Sequence, residues 1–164
     1  MKIFSCHLFL ILLILTSGSN TKQYNDPIPD HDTFTIQSKK VNESRIINVF
    51  TPEEYKANLD SLPVLYMPDG GTKEDFPHIA NTLAELIKSK KIPPYILVGI
   101  ENTKRQRDLT GPTEIEKDKE IADETGESAN FRAFINEELI PEINAKYRTT
   151  TRKGILASRY LDFL

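Results

Sequence analysis

Leu62-Pro63-Val64-Leu65-Tyr66-Met67-Pro68-Asp69-Gly70-Gly71 is the stretch on which the fold turns. Its first six residues form a short, nearly continuous apolar run, the pattern of a strand buried on both faces. Paired glycines then let the backbone turn tightly and leave N–H groups uncovered, as needed to cradle an oxyanion or a phosphate. The plainer reading is an ordinary strand-to-helix turn. Downstream, Phe76, Ile79, Ala80, Leu83, Leu86 and Ile87 recur at helical spacing, with Pro77 suited to the first turn. Pro93-Pro94 stops that helix, and Tyr95 to Ile100 reads as a second buried strand.

Upstream, residues 20–32 are polar, carry two prolines and read as a lead-in segment. Thr33 to Ser38 alternates in strand fashion, Asn42-Glu43 supplies a turn, and Arg45 to Thr51 is β-branched and apolar, so the pair predicts an antiparallel hairpin. Beyond Ile100, a long polar loop runs from Glu101 to about Ser128. The next helix places Phe131, Phe134, Ile135, Leu139 and Ile143 on one face, and Pro141 should bend or restart it. Basic residues 148–153 come last, then Gly154-Ile155-Leu156 as the start of a third buried strand. Hairpin, strand, helix, strand, helix, strand implies an α/β fold with right-handed crossovers and a largely parallel sheet covered on both faces.

Lys2, the apolar run Leu8 to Leu15 and the small residues Thr16 to Ser19 have the order of a secretory signal peptide, too short to span a bilayer. Residues 1–19 are therefore expected to be removed, with 20–32 as lead-in and 33–164 as the folded domain. What remains, about 145 residues, is one domain by the usual length range. The single cysteine, Cys6, lies inside the signal, so the remainder has no disulfide, thiol chemistry or Cys-based metal site. Export without disulfides points to a periplasmic or secreted protein. A net charge of −3 with mixed signs carries no footprint for nucleic acid or an anionic membrane, and no second apolar run could cross one.

Ligands in such sheets bind beyond the carboxyl ends of the strands. Asp69, Gly70 and Gly71 follow the first buried strand, and Asn102, Arg105, Arg107 and Asp108 follow the second. An Arg beside an Asp at a strand end can hold an anionic group or fix the loop by an ion pair. The acidic stretch Glu114 to Glu127 lacks the spacing of a calcium loop and reads as a solvated face. His7 lies in the signal, His31 in the lead-in and His78 in a first helical turn; all three read as surface residues. No cofactor or metal site is expected, and no Ser–His–Asp set can be assembled.

Residues 62–71, 98–110 (Val-Gly-Ile-Glu-Asn-Thr-Lys-Arg-Gln-Arg-Asp-Leu-Thr) and 137–149 (Glu-Glu-Leu-Ile-Pro-Glu-Ile-Asn-Ala-Lys-Tyr-Arg-Thr) carry a resemblance across about residues 33–156. The chain resembles the putative-esterase family of α/β-hydrolases, which includes exported enterobactin- and bacillibactin-type siderophore esterases. The resemblance implies a small-molecule ester substrate. It puts Gly70 and Gly71 at the oxyanion hole and Arg107 on the acyl side of the site.

In that family, the strand after the Tyr-Arg-Thr phrase runs into Gly-x-Ser-x-Gly, which exposes the nucleophilic Ser. Here Lys153 to Leu156 is followed by Ala-Ser-Arg-Tyr-Leu-Asp-Phe-Leu. Ser158 falls one residue early without flanking glycines and is not assigned as nucleophile; the acid and His of the triad would come later still. Permitted codons for residues 157–164, read one nucleotide earlier, begin Gly-Lys-Ser-Leu-Ser-Gly, which sets a Ser two residues after a Gly at the family's elbow position, with the second Gly one residue later than Gly-x-Ser-x-Gly has it. The expectation is a partial α/β-hydrolase domain, frameshifted at the elbow and without triad-dependent turnover. Its Gly154–Leu156 strand should be an apolar edge prone to self-association. The alternative is a small exported protein that binds an anionic ligand through Gly70-Gly71, Arg105 and Arg107.

Overall fold

A computed structural model describes residues 26–115 and 125–156. The elements in order are β1 (Asp32–Ser38), β2 (Glu43–Phe50), α1 (Glu53–Ala57), β3 (Leu62–Pro68), α2 (Phe76–Lys88), β4 (Ile96–Ile100), α3 (Arg105–Leu109), α4 (Ser128–Phe134), a π-helical turn (Ile135–Leu139), α5 (Ile140–Lys146) and β5 (Thr149–Ile155). The signal-like residues 1–19, the lead-in as far as residue 25, residues 116–124 and the residues after Leu156, Ser158 among them, lie outside the described part.

The five strands form one sheet in the order β1-β2-β4-β3-β5. β1 pairs with β2 and β2 with β4 antiparallel, while β3 pairs in parallel with both β4 and β5. The sheet is thus mixed: the hairpin is its antiparallel flank and β4, β3 and β5 its parallel part. Chain order reverses across β3, because one crossover leads to β4 on one side and the next returns to β5 on the other. Such a switch point opens a crevice at the carboxyl end of the strand, here the Asp69-Gly70-Gly71 turn.

Alternation along the strands divides the core into two. Val64, Tyr66, Ile96, Val98, Ile100, Ile47 and Val49 face Phe131, Phe134, Ile135, Leu139 and Ile143 from the helices after residue 127. Met67, Leu97 and Phe50 face Phe76, Ala80, Leu83 and Ile87 of α2. Because both faces are covered, β3 and β4 read as continuous apolar runs rather than alternating ones.

Pro141 restarts the second helix, as its chemistry requires. A proline has no N–H to donate, and its ring collides with the carbonyl four residues back. The chain widens into the π turn ahead of it, where the Ile140 N–H reaches the Ile135 carbonyl, and α5 begins beside the proline. Two short helices, α1 and α3, fall where no helical periodicity was read; at five residues each, they are too short to show one.

β5 differs from expectation. It begins at Thr149 and includes the basic stretch, with Thr151, Arg152 and Lys153 exposed. Its outer side has no strand partner among the described residues, so the strand is neither buried on both faces nor purely apolar. Ile155 is 56% exposed, while the neighbouring charges are of the kind that protect a sheet edge.

The tightest backbone approach lies between Gly70 and Gly99. A Cβ on Gly70 would sit 2.3 Å from the Gly99 Cα, and one on Gly99 would sit 2.5 Å from the Gly70 carbonyl oxygen and 2.6 Å from Phe76. Neither backbone can yield without parting β3 from β4. Gly99→Ala is therefore expected to cost about 3 kcal/mol, the upper end for overpacking. Gly154→Ala meets only the Leu65 Cδ2 at 3.0 Å and should cost clearly less. Urea midpoints of the two variants against the parent chain check the ranking.

Candidate functional site

The turn after β3 is held by a carboxylate clamp. Asp69 has φ 58°, in the left-handed region that non-glycine residues enter at a cost of roughly 1–2 kcal/mol, Asp more readily than most. Its carboxylate accepts Arg105 Nε at 2.7 Å and Nη2 at 3.1 Å in a two-pronged pair. It also accepts Asn102 Nδ2 at 2.5 Å. Charge-assisted, bidentate bonds are strong enough to offset the backbone cost. They also tie the β3 turn to the loop after β4.

The two glycine amides of the turn have different fates. Gly70 N–H donates to the Ile100 carbonyl at 2.9 Å, and the Gly70 carbonyl accepts Asn48 Nδ2 at 3.0 Å. Gly70 is thereby stitched into the sheet end. Gly71 N–H donates to Glu74 Oε2 at 2.6 Å, while Glu74 N–H returns a bond to the Gly71 carbonyl at 3.0 Å. Asn102 N–H lies 3.3 and 3.4 Å from the two Glu74 carboxylate oxygens. Burial pushes the Glu74 carboxyl above its ordinary value, aided by the nearby Asp69 charge and partly opposed by these amides.

A second ionic cluster sits at the same end of the sheet, under β2. Arg45, 1% exposed, pairs with Asp108 and with Glu43 Oε1 at 2.6 Å. Its guanidinium carbon stands 5.3 Å and 6.0 Å from the ring centres of Phe131 and Phe134. Arg107 Nε donates to Asp108 Oδ1 at 2.9 Å, and its Nη1 and Nη2 donate to Glu43 at 3.3 and 2.8 Å. Thr103 Oγ1 adds a 2.6 Å bond to Glu43. Burial raises the Glu43 carboxyl, but the hydrogen bonds from Arg107 and Thr103 and the charges of Arg45 and Arg107 outweigh it, so the net displacement is downward.

The structure therefore sorts the candidates into two groups. Asp69, Gly70, Gly71 and Arg105 come together at the β3 turn. Arg107 and Asp108, buried at 6% and 2% exposure, join Glu43 and Arg45 instead. One short helix, α3, serves both. Glu43, Arg45, Asn48 and Glu74 were not singled out from sequence. Arg45 carried a signal: it shares the β2 face of Ile47 and Val49, and a cation in register with core residues requires a buried partner. The histidines lie elsewhere. The His31 ring meets Phe76 at 5.3 Å, and His78 Nδ1 is 2.8 Å from Asp26, so His78 has a partner that sequence did not reveal.

At the open end of the site, β5 lies beside the turn. Tyr66 pairs with Ile155, and Leu156 N–H donates to the Tyr66 carbonyl at 2.8 Å. The described part of β5 thus ends level with the last residues of β3, just before the Asp69-Gly70-Gly71 turn.

Comparison with known proteins agrees with this geometry. Residues 38–158 match the family described as Putative esterase. An IroE-like serine hydrolase from Shewanella oneidensis is similar in structure at a TM-score of 0.66 and 29% identity, over 77% of this chain and 42% of that one. The siderophore hydrolase EstA from Aspergillus nidulans aligns at 0.64 and 20% identity, over 93% and 52%. The enterobactin esterase FES from Shigella flexneri, solved in the presence of enterobactin, aligns at 0.54 and 18%, over 77% and 30%. The last two establish a shared fold. The chain spans about half or less of the length of each of these structures. No curated protein matches it.

Two predictions follow from the ionic clusters. Asp108→Asn strips a carboxylate from buried Arg45 and Arg107, and breaking such a pair costs about 3–5 kcal/mol, measurable by urea unfolding. The two glutamates should give opposite pH dependences. Glu43 titrates below 4.5 when folded, so its stabilisation is present above 4.5 and lost as pH falls through the lowered value. Glu74 titrates above 4.5, so its contribution is greatest below 4.5 and declines as pH rises through the raised value. Melting temperature against pH should lose part of its acid limb in Glu43→Gln and part of its decline above 4.5 in Glu74→Gln.

Proposed function

The chain belongs to the Putative esterase family, and from that premise we propose that it is the N-terminal portion of an exported serine esterase acting on a small-molecule carboxylic ester. One observation carries the reading. The Asp69-Gly70-Gly71 turn stands at the switch point of the sheet, and β5 ends directly beside it. A nucleophile displayed just after β5 would face the amides of that turn across the crevice. The shared fold with the IroE-like serine hydrolase supports the same placement.

In the complete reaction, Ser attacks the ester carbonyl, His accepts its proton, a carboxylate orients the His, and backbone N–H groups hold the tetrahedral oxyanion. This chain contributes only part of the last of these, because the residue after the nucleophile supplies the other amide. Of the two turn amides, Gly71 is the oxyanion donor, because Gly70 N–H is committed to the Ile100 carbonyl. Asp69 and Arg105 hold the turn in shape from behind. Arg107 would reach an acyl group only by releasing Glu43, so its part is to brace the loop after β4.

The proposed portion lacks the elbow, the acid and the catalytic His, and by itself it does not turn over esters. Among the described residues, His31 and His78 are held in or near the lead-in segment, by Pro29 and Asp26. The signal-like residues 1–19 support export.

The test pairs a gene with an assay. Sequencing beyond the Leu156 codon is expected to show a frame, displaced by one base, that continues into an esterase-like C-terminal half. With the frame restored, the longer chain should hydrolyse p-nitrophenyl acetate, while the purified 164-residue chain stays at the rate of a boiled control. Turnover by the short chain, or no activity in the restored one, overturns the proposal.

A further inference from the structure

Glu74 differs from Glu43, Asp69 and Asp108 in what holds it. Each of those carboxylates meets an arginine, whereas the hydrogen bonds to Glu74 come from the backbone amides of Gly71 and Asn102, with a smaller contribution from the Asn102 side chain. These amides belong to the loops after two neighbouring parallel strands, and they converge on one carboxylate. Converging backbone N–H groups at the carboxyl end of a sheet are the arrangement that stabilises a negative charge developing on a substrate oxygen. The carboxylate also fills the space in front of Gly71: a Cβ there would meet Glu74 Oε2 at 2.9 Å and Glu101 Cγ at 2.9 Å.

The reciprocal Gly71–Glu74 bonds look in isolation like a helix capping box. A cap needs no donor from another strand, however, and Asn102 belongs to the loop after β4. α2, moreover, does not begin until Phe76.

We propose that the Glu74 carboxylate is a built-in stand-in for the substrate oxyanion, seated on the Gly71 and Asn102 amides at rest and displaced when substrate reaches them. The inference rests on the esterase reading and adds to it a self-occupied oxyanion site. Its ligand class is any small carboxylate or tetrahedral oxyanion able to accept from both amides. An exposed pair of amides would collect ambient anions; a tethered carboxylate keeps them out through its high effective concentration.

Acetate is a suitable probe, read by the Gly71 and Asn102 amide resonances of the 15N-labelled 164-residue chain. In the parent chain both should be insensitive to acetate. In Glu74→Ala they should move upfield as the bonds are lost, then return saturably with acetate, at an apparent affinity at least about tenfold above that of the parent. Glu74→Gln keeps a carbonyl acceptor of the same reach and should remain closed to acetate. Unmoved amides in a folded Glu74→Ala, or an equal response in the parent, would overturn the proposal. If Glu74→Ala does not fold, Glu74→Asp, shorter by one methylene, decides: a folded Asp variant that gains no response overturns it as well. The readout needs no turnover. An inactive restored enzyme would therefore sink the esterase reading while leaving the amide result intact, and an active enzyme with silent amides would sink only the stand-in.

Discussion

Everything at the carboxyl end of this sheet depends on two backbones lying against each other without side chains between them. Gly70 and Gly99 approach so closely that neither position has room for a methyl group. That contact lets the β3 turn fold back over β4 and give its Gly70 N–H to the Ile100 carbonyl. With Gly70 fixed, Asp69 takes the left-handed region and the buried Gly71 turns its N–H to Glu74. The clamp from Arg105 and Asn102 is therefore the consequence of a steric fact, not its cause. It stabilises a conformation that the glycines have already imposed.

The charges around this turn follow a second rule. Removing an ion from water costs several kcal/mol unless a partner returns it, so the buried ions here come in sets. Arg45 and Arg107 share Asp108 and Glu43, and the rings of Phe131 and Phe134 flank Arg45. The cluster joins β2, α3 and the helix after residue 127, elements whose sequence neighbours lie far apart. It also gives α3 two jobs within five residues: Arg105 faces the β3 turn, and Arg107 and Asp108 face the hairpin. A helix so short has little stability of its own, and its position comes from these two sets of ionic contacts.

Much of this was legible from residue order. The apolar runs at 62–67 and 95–100 and the periodicity of 76–87 became β3, β4 and α2, because burial on two faces and on one stripe leaves distinct patterns. The hairpin and the restart at Pro141 were equally readable, each from a local steric rule. The start of β5 was not, since a basic run resembles a loop until a parallel neighbour pairs with it. The candidate site was legible as a set of residues but not as a partition. Nothing in Arg-Gln-Arg-Asp tells which arginine takes Asp69 and which takes Glu43, as both partners are more than thirty residues away. Glu74 escaped notice for a related reason: a Glu in a turn before a helix is commonplace until the fold brings the Asn102 amide up to it.

The resting electrostatics of the turn bear on how such a site could work. A donor pair that stabilises charge in a transition state must be preorganised, yet an unoccupied pair in a partly buried crevice is itself unfavourable. Filling it with a carboxylate from three residues downstream satisfies the amides, and burial makes that carboxylate a reluctant anion. The occupant is thus held by good geometry and weakened by poor solvation. A competing oxyanion that formed on a substrate would need to outbid only a partly destabilised ligand, and Glu74, released toward solvent, would recover hydration as it left. Displacement by exchange avoids the full cost of vacating the site, and a backbone already locked by Gly70, Gly99 and Asp69 need not move for it.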